Sequence, residues 1–155
     1  MQKLNLVKAI VRHRTSVVWT QKFLYGTGRK EDSSRYLLLQ KAKDTNSENI
    51  GKWECPGGRI KPKETSIEAI TREMTEETDL TFRVVKQLPT KTARGEKYDS
   101  HCDVYLIDVA SMNVKLSTEH SDYRWMKAED IQKQNLVLYA DLLLEFFNNP
   151  KKYLD

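Results

Sequence analysis

Glu73, Glu76 and Glu77 follow one another within two turns of the segment Arg72-Glu73-Met74-Thr75-Glu76-Glu77, and Gly58 and Glu64 precede it at fixed intervals. On a helix that turns about 100° per residue, the three carboxylates fall within a sector of about 100°. Like charges that close repel, by roughly 0.2–0.5 kcal/mol per pair in an isolated helix. A hard divalent cation offsets that repulsion, because Mg²⁺ prefers carboxylate oxygens, waters and phosphate oxygens to a cage built wholly of protein. Held there, it would neutralise phosphate charge, orient a phosphate chain for in-line attack and lower the pKa of the attacking water. A solvated acidic helix face is the competing explanation of any Glu-rich segment, and the spacing decides between them.

The helix that carries these residues has a legible start. Thr65-Ser66-Ile67-Glu68 has the spacing of a capping box, and Lys61-Pro62-Lys63 does not suit a helix interior, so the helix begins near Thr65. Ile67, Ile70 and Met74 recur at i, i+3 and i+7 and give it one apolar face, about 100° from the centre of the carboxylate sector. Before it, Pro56-Gly57-Gly58 enforces a turn with unusual backbone angles.

Around this unit the chain reads as strands. Leu4 to His13 and Thr15 to Leu24 are β regions; a polar loop from Tyr25 to Ser34 follows, then a buried strand at Tyr36 to Leu39 and a second loop at Lys43 to Asn49. Ile50 to Cys55, Phe82 to Leu88, Lys97 to Val109 and Tyr123 to Met126 complete the strands, with a loop through Ser111 to His120. Leu136, Tyr139, Ala140, Leu143, Phe146 and Phe147 recur at helical spacing, so a final helix is expected, capped by Asn135 and ended before Pro150. This order indicates an α+β fold with a mixed sheet between helices, in one domain over residues 1–155. Leu4 to Val11 is a candidate exposed edge that could pair two copies in a homodimer.

Composition narrows the class of function. Lys and Arg (26) exceed Asp and Glu (22), a net charge of +4 that favours anionic ligands. The basic residues are spread out, which argues for phosphate-bearing small molecules rather than a nucleic-acid patch. No secretory signal and no apolar run of about 18 residues is visible, so no membrane partner is expected. Cys55 and Cys102 make no disulfide framework, which fits a reduced, cytoplasmic protein.

The sequence resembles the Nudix (MutT-like) hydrolase family, whose box reads G-x5-E-x7-R-E-U-x-E-E-x-G-U with U aliphatic. Gly58, Glu64, Arg72, Glu73, Glu76 and Glu77 fill six fixed positions, and Met74 and Leu80 fill the aliphatic ones. At residue frequencies of about 6%, six such matches arise by chance with a probability on the order of 10⁻⁵. Trp53-Glu54-Cys55-Pro56-Gly57-Gly58 is similar to the family's lead into the box, and Glu119-His120-Ser121-Asp122-Tyr123-Arg124-Trp125 to the segment in which many members supply a distant carboxylate. One position departs: Asp79 stands where the box has Gly, at a helix end where Asp tolerates the left-handed conformation better than most residues.

The resemblance implies the α/β/α sandwich of the family, with the catalytic helix after the glycine turn. It implies a Mg²⁺ ion, or Mn²⁺ in its place, bound by Glu73, Glu76, Glu77, the Gly57 carbonyl and Glu119. Catalytic work would fall to Glu76, Glu73 and Glu119, with Arg72 and Glu64 in support. His13, His101 and His120 show no metal-ligand spacing and are assigned no chemistry. The reaction implied is water attack on a nucleoside diphosphate linked to a further group, with nucleoside triphosphates, ordinary or oxidised, the leading substrates of a compact member.

Dinucleoside polyphosphates are an alternative, through Tyr98, 18 residues beyond Leu80. ADP-ribose is another, disfavoured by Gly95 and Glu96 where its hydrolases carry a proline. A non-catalytic nucleotide-sensing module would rest on Asp79 alone, and an RNA-end processing enzyme on the net charge alone. Base recognition would come from aromatics such as Trp19, Tyr98 or Tyr139, each of which also suits a core.

Overall fold

The computed structural model describes residues 2–15, 18, 19, 30, 31 and 33–155. The sheet is built around β1 (Gln2–Arg14), whose Leu6–Arg12 stretch is buried throughout. Both faces of this strand are therefore covered, as the unbroken run Leu6-Val7-Lys8-Ala9-Ile10-Val11 requires. On one side β1 pairs in parallel with β8 (Tyr98–Val109), which pairs antiparallel with β7 (Phe82–Arg94). The other edge of β1 is shared between β4 (Ser34–Lys41), at Arg12–Arg14, and β6 (Gly57–Arg59), at Leu6–Lys8. Between these contacts the Ala9 N–H donates to the Pro56 carbonyl at 2.8 Å. The remaining neighbours of β4 are β5 (Trp53–Glu54) and β9 (His120–Met126). One parallel pairing among antiparallel ones makes the sheet mixed, as expected.

The edge strand expected at Leu4 to Val11 is instead the centre of the sheet, and it has no free edge to offer a second copy. Alternation could not show this, because a strand buried on both faces reads as continuous apolar chain wherever it lies. The strand expected over Ile50 to Cys55 shrinks to Trp53–Glu54. Ile50 is 49% exposed after a 3₁₀ turn (Ser47–Asn49), and Gly51 takes a φ of +87°. The β region expected over Thr15 to Leu24 and the loop to Ser34 lie largely outside the described residues. Within them, β2 (Val18–Trp19) pairs antiparallel with β3 (Lys30–Glu31).

Helices cover both faces. Val7, Ala9 and Val11 pack with Ala69, Ile70 and Met74 of α1 (Ser66–Thr78), while Leu6 and Ile10 pack on the opposite side with Ile131, Leu143, Phe146 and Leu154. The result is an α/β/α sandwich. The second layer is made of α2 (Ala128–Ile131), α3 (Leu138–Asp141), α4 (Leu144–Asn148) and α5 (Pro150–Tyr153). The single final helix expected from Leu136 onward is thus three short pieces. Hydrogen bonds of the i→i−3 kind at Ala140, Leu143 and Phe146 keep the apolar side chains inward while the axis breaks. Pro150 begins α5 rather than following a helix end, since its fixed φ and missing N–H suit a first turn. No helix among the described residues is long and apolar enough to cross a membrane.

Candidate active site

The helix α1, which carries the three carboxylates, starts and stops where its sequence says. Thr65 Oγ1 accepts from the Glu68 N–H at 3.2 Å, and Asp79 ends the helix at φ 53°, ψ 26°, with its N–H donating to the Thr75 carbonyl. A left-handed Asp is less favourable than Gly. Asp79→Gly is expected to raise stability by up to about 1 kcal/mol, roughly 2–4 °C in Tm, with activity unchanged. A thermal melt with a parallel assay checks both.

The helix face differs from the expected one. Ile67 is 42% exposed, and the buried stripe runs through Ala69, Ile70, Glu73, Met74, Glu77 and Thr78. Glu73 and Glu77 therefore point at the sheet side, and only Glu76 is largely exposed. Two glycines make room for them. A Cβ on Gly58 would stand 2.5 Å from Glu73 Oε1. Gly57, at φ +141°, would bring a Cβ within 2.1 Å of the Val7 carbonyl, and its N–H donates to Glu77 Oε1 at 2.7 Å.

Arg72 ties one end of the cluster together. Its Nε and Nη2 donate to the two oxygens of Glu64 at 2.8 and 2.9 Å, its Nη1 donates to Glu73 Oε1 at 2.8 Å, and Glu76 Oε2 lies 3.5 Å from Nη1. These bonds, with the Lys61 N–H on Glu64 Oε1, hold the Glu64 carboxyl down at about 2.

The other end is buried and lies outside the box. Lys8 Nζ donates to Glu54 Oε1 at 2.7 Å and to the Cys55 carbonyl at 3.1 Å. Glu54 Oε2 faces His120 Nε2 at 3.0 Å and Lys41 Nζ at 3.2 Å. Burial opposes the charge of Glu54, but Lys8, the His120 hydrogen bond and Lys41 outweigh it and keep its carboxyl far below the usual range. Burial likewise opposes the Lys8 charge, and Glu54 and Glu77 reverse that to hold the ammonium above the ordinary lysine value. Glu77 has no such matched partner: burial pushes it up to about 8, with Lys8 and the Gly57 N–H resisting and Glu73 and Glu54 adding to the rise.

The sequence reading did not single out Lys8, gave Glu54 no role of its own and assigned His120 no chemistry. The signal available was a lone charge inside each of two buried runs, Lys8 in Leu6 to Val11 and Glu54 between Trp53 and Cys55, because a buried charge requires a partner.

Glu119, His120 and Glu77 each offer a ligand atom, and these atoms lie within 4.8 Å of one another. Trp125 helps to hold the loop before Glu119, since its indole N–H donates to the Met112 carbonyl at 3.0 Å; the Ala42 N–H donates to the Glu119 carbonyl at 2.8 Å. His120 Nδ1 is buried and unpartnered, one of three such side-chain atoms among the described residues, with Glu77 Oε2 3.4 Å away. The gap between His120 Nδ1 and Glu77 Oε2 suits a proton or a cation between them.

Tyr98 is not brought to this cluster. It pairs with Gln2 at the start of β8, whereas Lys8 pairs with Val104, about 20 Å farther along at roughly 3.3 Å per residue. The Trp19 and Tyr139 side chains lie outside the described residues.

The raised Glu77 has a measurable sign. Its folded pKa of about 8 stands above the ordinary carboxyl value of 4.5, so its contribution to stability is fully present below 4.5 and is lost as pH rises through 8. The metal-free chain is expected to lose stability over that window relative to Glu77→Gln, and divalent-ion affinity to rise over the same range as the proton leaves. Urea melts and metal titrations at stepped pH check it; parallel stability curves for the two chains would refute the assignment.

Comparison with known proteins agrees with this geometry. A family profile described as the NUDIX domain matches residues 24–146. The nucleoside triphosphatase NudI of Escherichia coli (strain K12 / DH10B) is 32% identical over 117 residues, covering 68% of this chain and 82% of its own. The crystal structure of a MutT protein from Methanosarcina mazei Go1 superposes with a TM-score of 0.72 at 26% identity, covering 97% of this chain and 96% of that one. An Ap4A hydrolase of C. elegans shares the fold, with a TM-score of 0.65 at 19% identity over 96% of this chain and 98% of that one. Nudix hydrolases generally use divalent metal ions, for which the acidic cluster is suited. With the box helix, the glycine turn and the sandwich all in place, the chain belongs to the Nudix hydrolase family.

Proposed function

We propose that this protein is a Mg²⁺-dependent pyrophosphohydrolase of nucleoside triphosphates, ordinary or oxidised, working as one catalytic domain on a cytoplasmic nucleotide pool. The observation that carries the proposal is the convergence of Glu77, Glu119 and His120 beside the Arg72-bound carboxylates of Glu73 and Glu64. Its likeness to a nucleoside triphosphatase supports the choice of substrate. Mn²⁺ would serve in place of Mg²⁺.

Glu73, Glu76, Glu77, Glu119 and the Gly57 carbonyl would hold the ion, which supplies charge neutralisation on the phosphate chain and a more acidic water. Glu76, largely exposed and only loosely drawn toward Arg72, can turn toward substrate. Arg72 and Glu64 are positioning residues: the bidentate pair fixes the guanidinium, and the guanidinium fixes Glu73. A carboxylate of the cluster takes the proton as water bonds to phosphorus. The anhydride P–O bond then breaks, and pyrophosphate leaves from a nucleoside monophosphate. Cys55 and Cys102 are no rivals as nucleophiles, because burial pushes their thiols up to about 12 and about 11.

A panel of nucleoside triphosphates, dinucleoside polyphosphates, ADP-ribose and nucleotide sugars with Mg²⁺ tests the substrate. Pyrophosphate and monophosphate from triphosphates are the expected products. Cleavage of ADP-ribose or a dinucleoside polyphosphate with triphosphates left intact would overturn the choice.

A further inference from the structure

We propose that His120 is a metal ligand of this site, binding the divalent ion through Nδ1 together with Glu77 and Glu119, so that the position favours Co²⁺ and its borderline neighbours over Mg²⁺ more than carboxylates alone would. This rests on the metal-dependent reading above and adds a nitrogen donor to it.

The tautomer follows from the partners. Glu54 is tied by Lys8 at one oxygen and by Lys41 and His120 at the other, so it is held ionised and can only accept. His120 Nε2 must then carry the hydrogen and donate it to Glu54, which in the neutral ring leaves the lone pair on Nδ1. That atom is buried with no hydrogen-bond partner and lies 3.4 Å from Glu77 Oε2, and His120, Glu77 and Glu119 offer ligand atoms within 4.8 Å of one another. A buried acceptor facing a carboxylate oxygen at 3.4 Å is unfavourable without a cation or proton between them. Two ligands at about 2.1 Å from an ion and at right angles stand about 3.0 Å apart, so a small approach closes the observed separation.

The remainder of the network has the form that supports a metal-bound imidazole: a carboxylate on the far ring nitrogen, itself anchored by cations. It fixes the ring orientation and so aims Nδ1 at the ion. Carboxylate and water suit Mg²⁺, whereas imidazole strengthens binding of later transition metals, so the donor set predicts selectivity as well as affinity.

Mn²⁺ added to the metal-free 155-residue chain, read by electron spin-echo modulation, tests the ligand directly. Histidine ¹⁴N modulation is expected in the wild type and is expected to vanish in His120→Gln. Co²⁺ affinity of His120→Gln should fall about 10- to 100-fold while Mg²⁺ affinity changes less than about threefold, a split that a merely structural role would not produce. Glu119→Gln, an exposed loop change, should weaken both ions while keeping the ¹⁴N signal. If His120→Gln does not fold, the wild-type spectrum alone decides. Bound Mn²⁺ without ¹⁴N modulation overturns the His120 assignment and leaves the proposed hydrolase intact; failure to bind Mn²⁺ or Mg²⁺ at all overturns both.

Discussion

Glu77→Gln is expected to lower Mg²⁺-supported turnover by about three orders of magnitude or more, the loss of roughly 4 kcal/mol of charge stabilisation around the reacting phosphate. The amide keeps an oxygen for the Gly57 N–H, so the glycine turn should stay seated. It removes a carboxyl that burial already disfavours as an anion. The metal-free variant is therefore expected to be more stable than the wild type at and above pH 8, and its loss of activity cannot be put down to unfolding. Steady-state kinetics and urea melts on the same preparation check both halves. Retained turnover would remove Glu77 from the site.

Lys8→Met is expected to destabilise the fold by about 3–5 kcal/mol, because it strips the closest cation from Glu54 and Glu77 in a buried setting. Against a total of about 5–15 kcal/mol for a domain this is a large fraction. Adding Glu54→Gln should recover part of it, since the charge left unpaired would be gone. Urea midpoints of the single and double variants measure the coupling, and additive effects would show that the pair does not interact. Lys41 and His120 still face Glu54, which places the single variant toward the lower end.

The local features were readable in the chain itself. The capping box placed the start of α1, the six fixed positions of the box placed its carboxylates, and the Asp79 departure was correctly read as a left-handed helix end. What failed depended on long-range pairing. Whether β1 was central or at an edge is set by β8, roughly a hundred residues away, and not by the strand's own pattern. The Lys8–Glu54 and Glu54–His120 contacts join residues 46 and 66 positions apart, so no spacing rule could find them. His120 was set aside for lacking metal-ligand spacing; its neighbours Glu77 and Glu54 come from two other elements. The C-terminal helix failed for another reason. Apolar residues at 3.6-residue spacing are also satisfied by successive short turns, and Asn149 leaves helical angles just before Pro150.

The most direct measurement is pyrophosphate release from nucleoside triphosphates by the chelated protein before and after Mg²⁺ is restored. No release with chelator and full recovery with Mg²⁺, absent in Glu77→Gln, is the result expected. Turnover that persists under chelation, or that survives loss of the Glu77 carboxylate, would contradict a metal-dependent hydrolase centred on this helix.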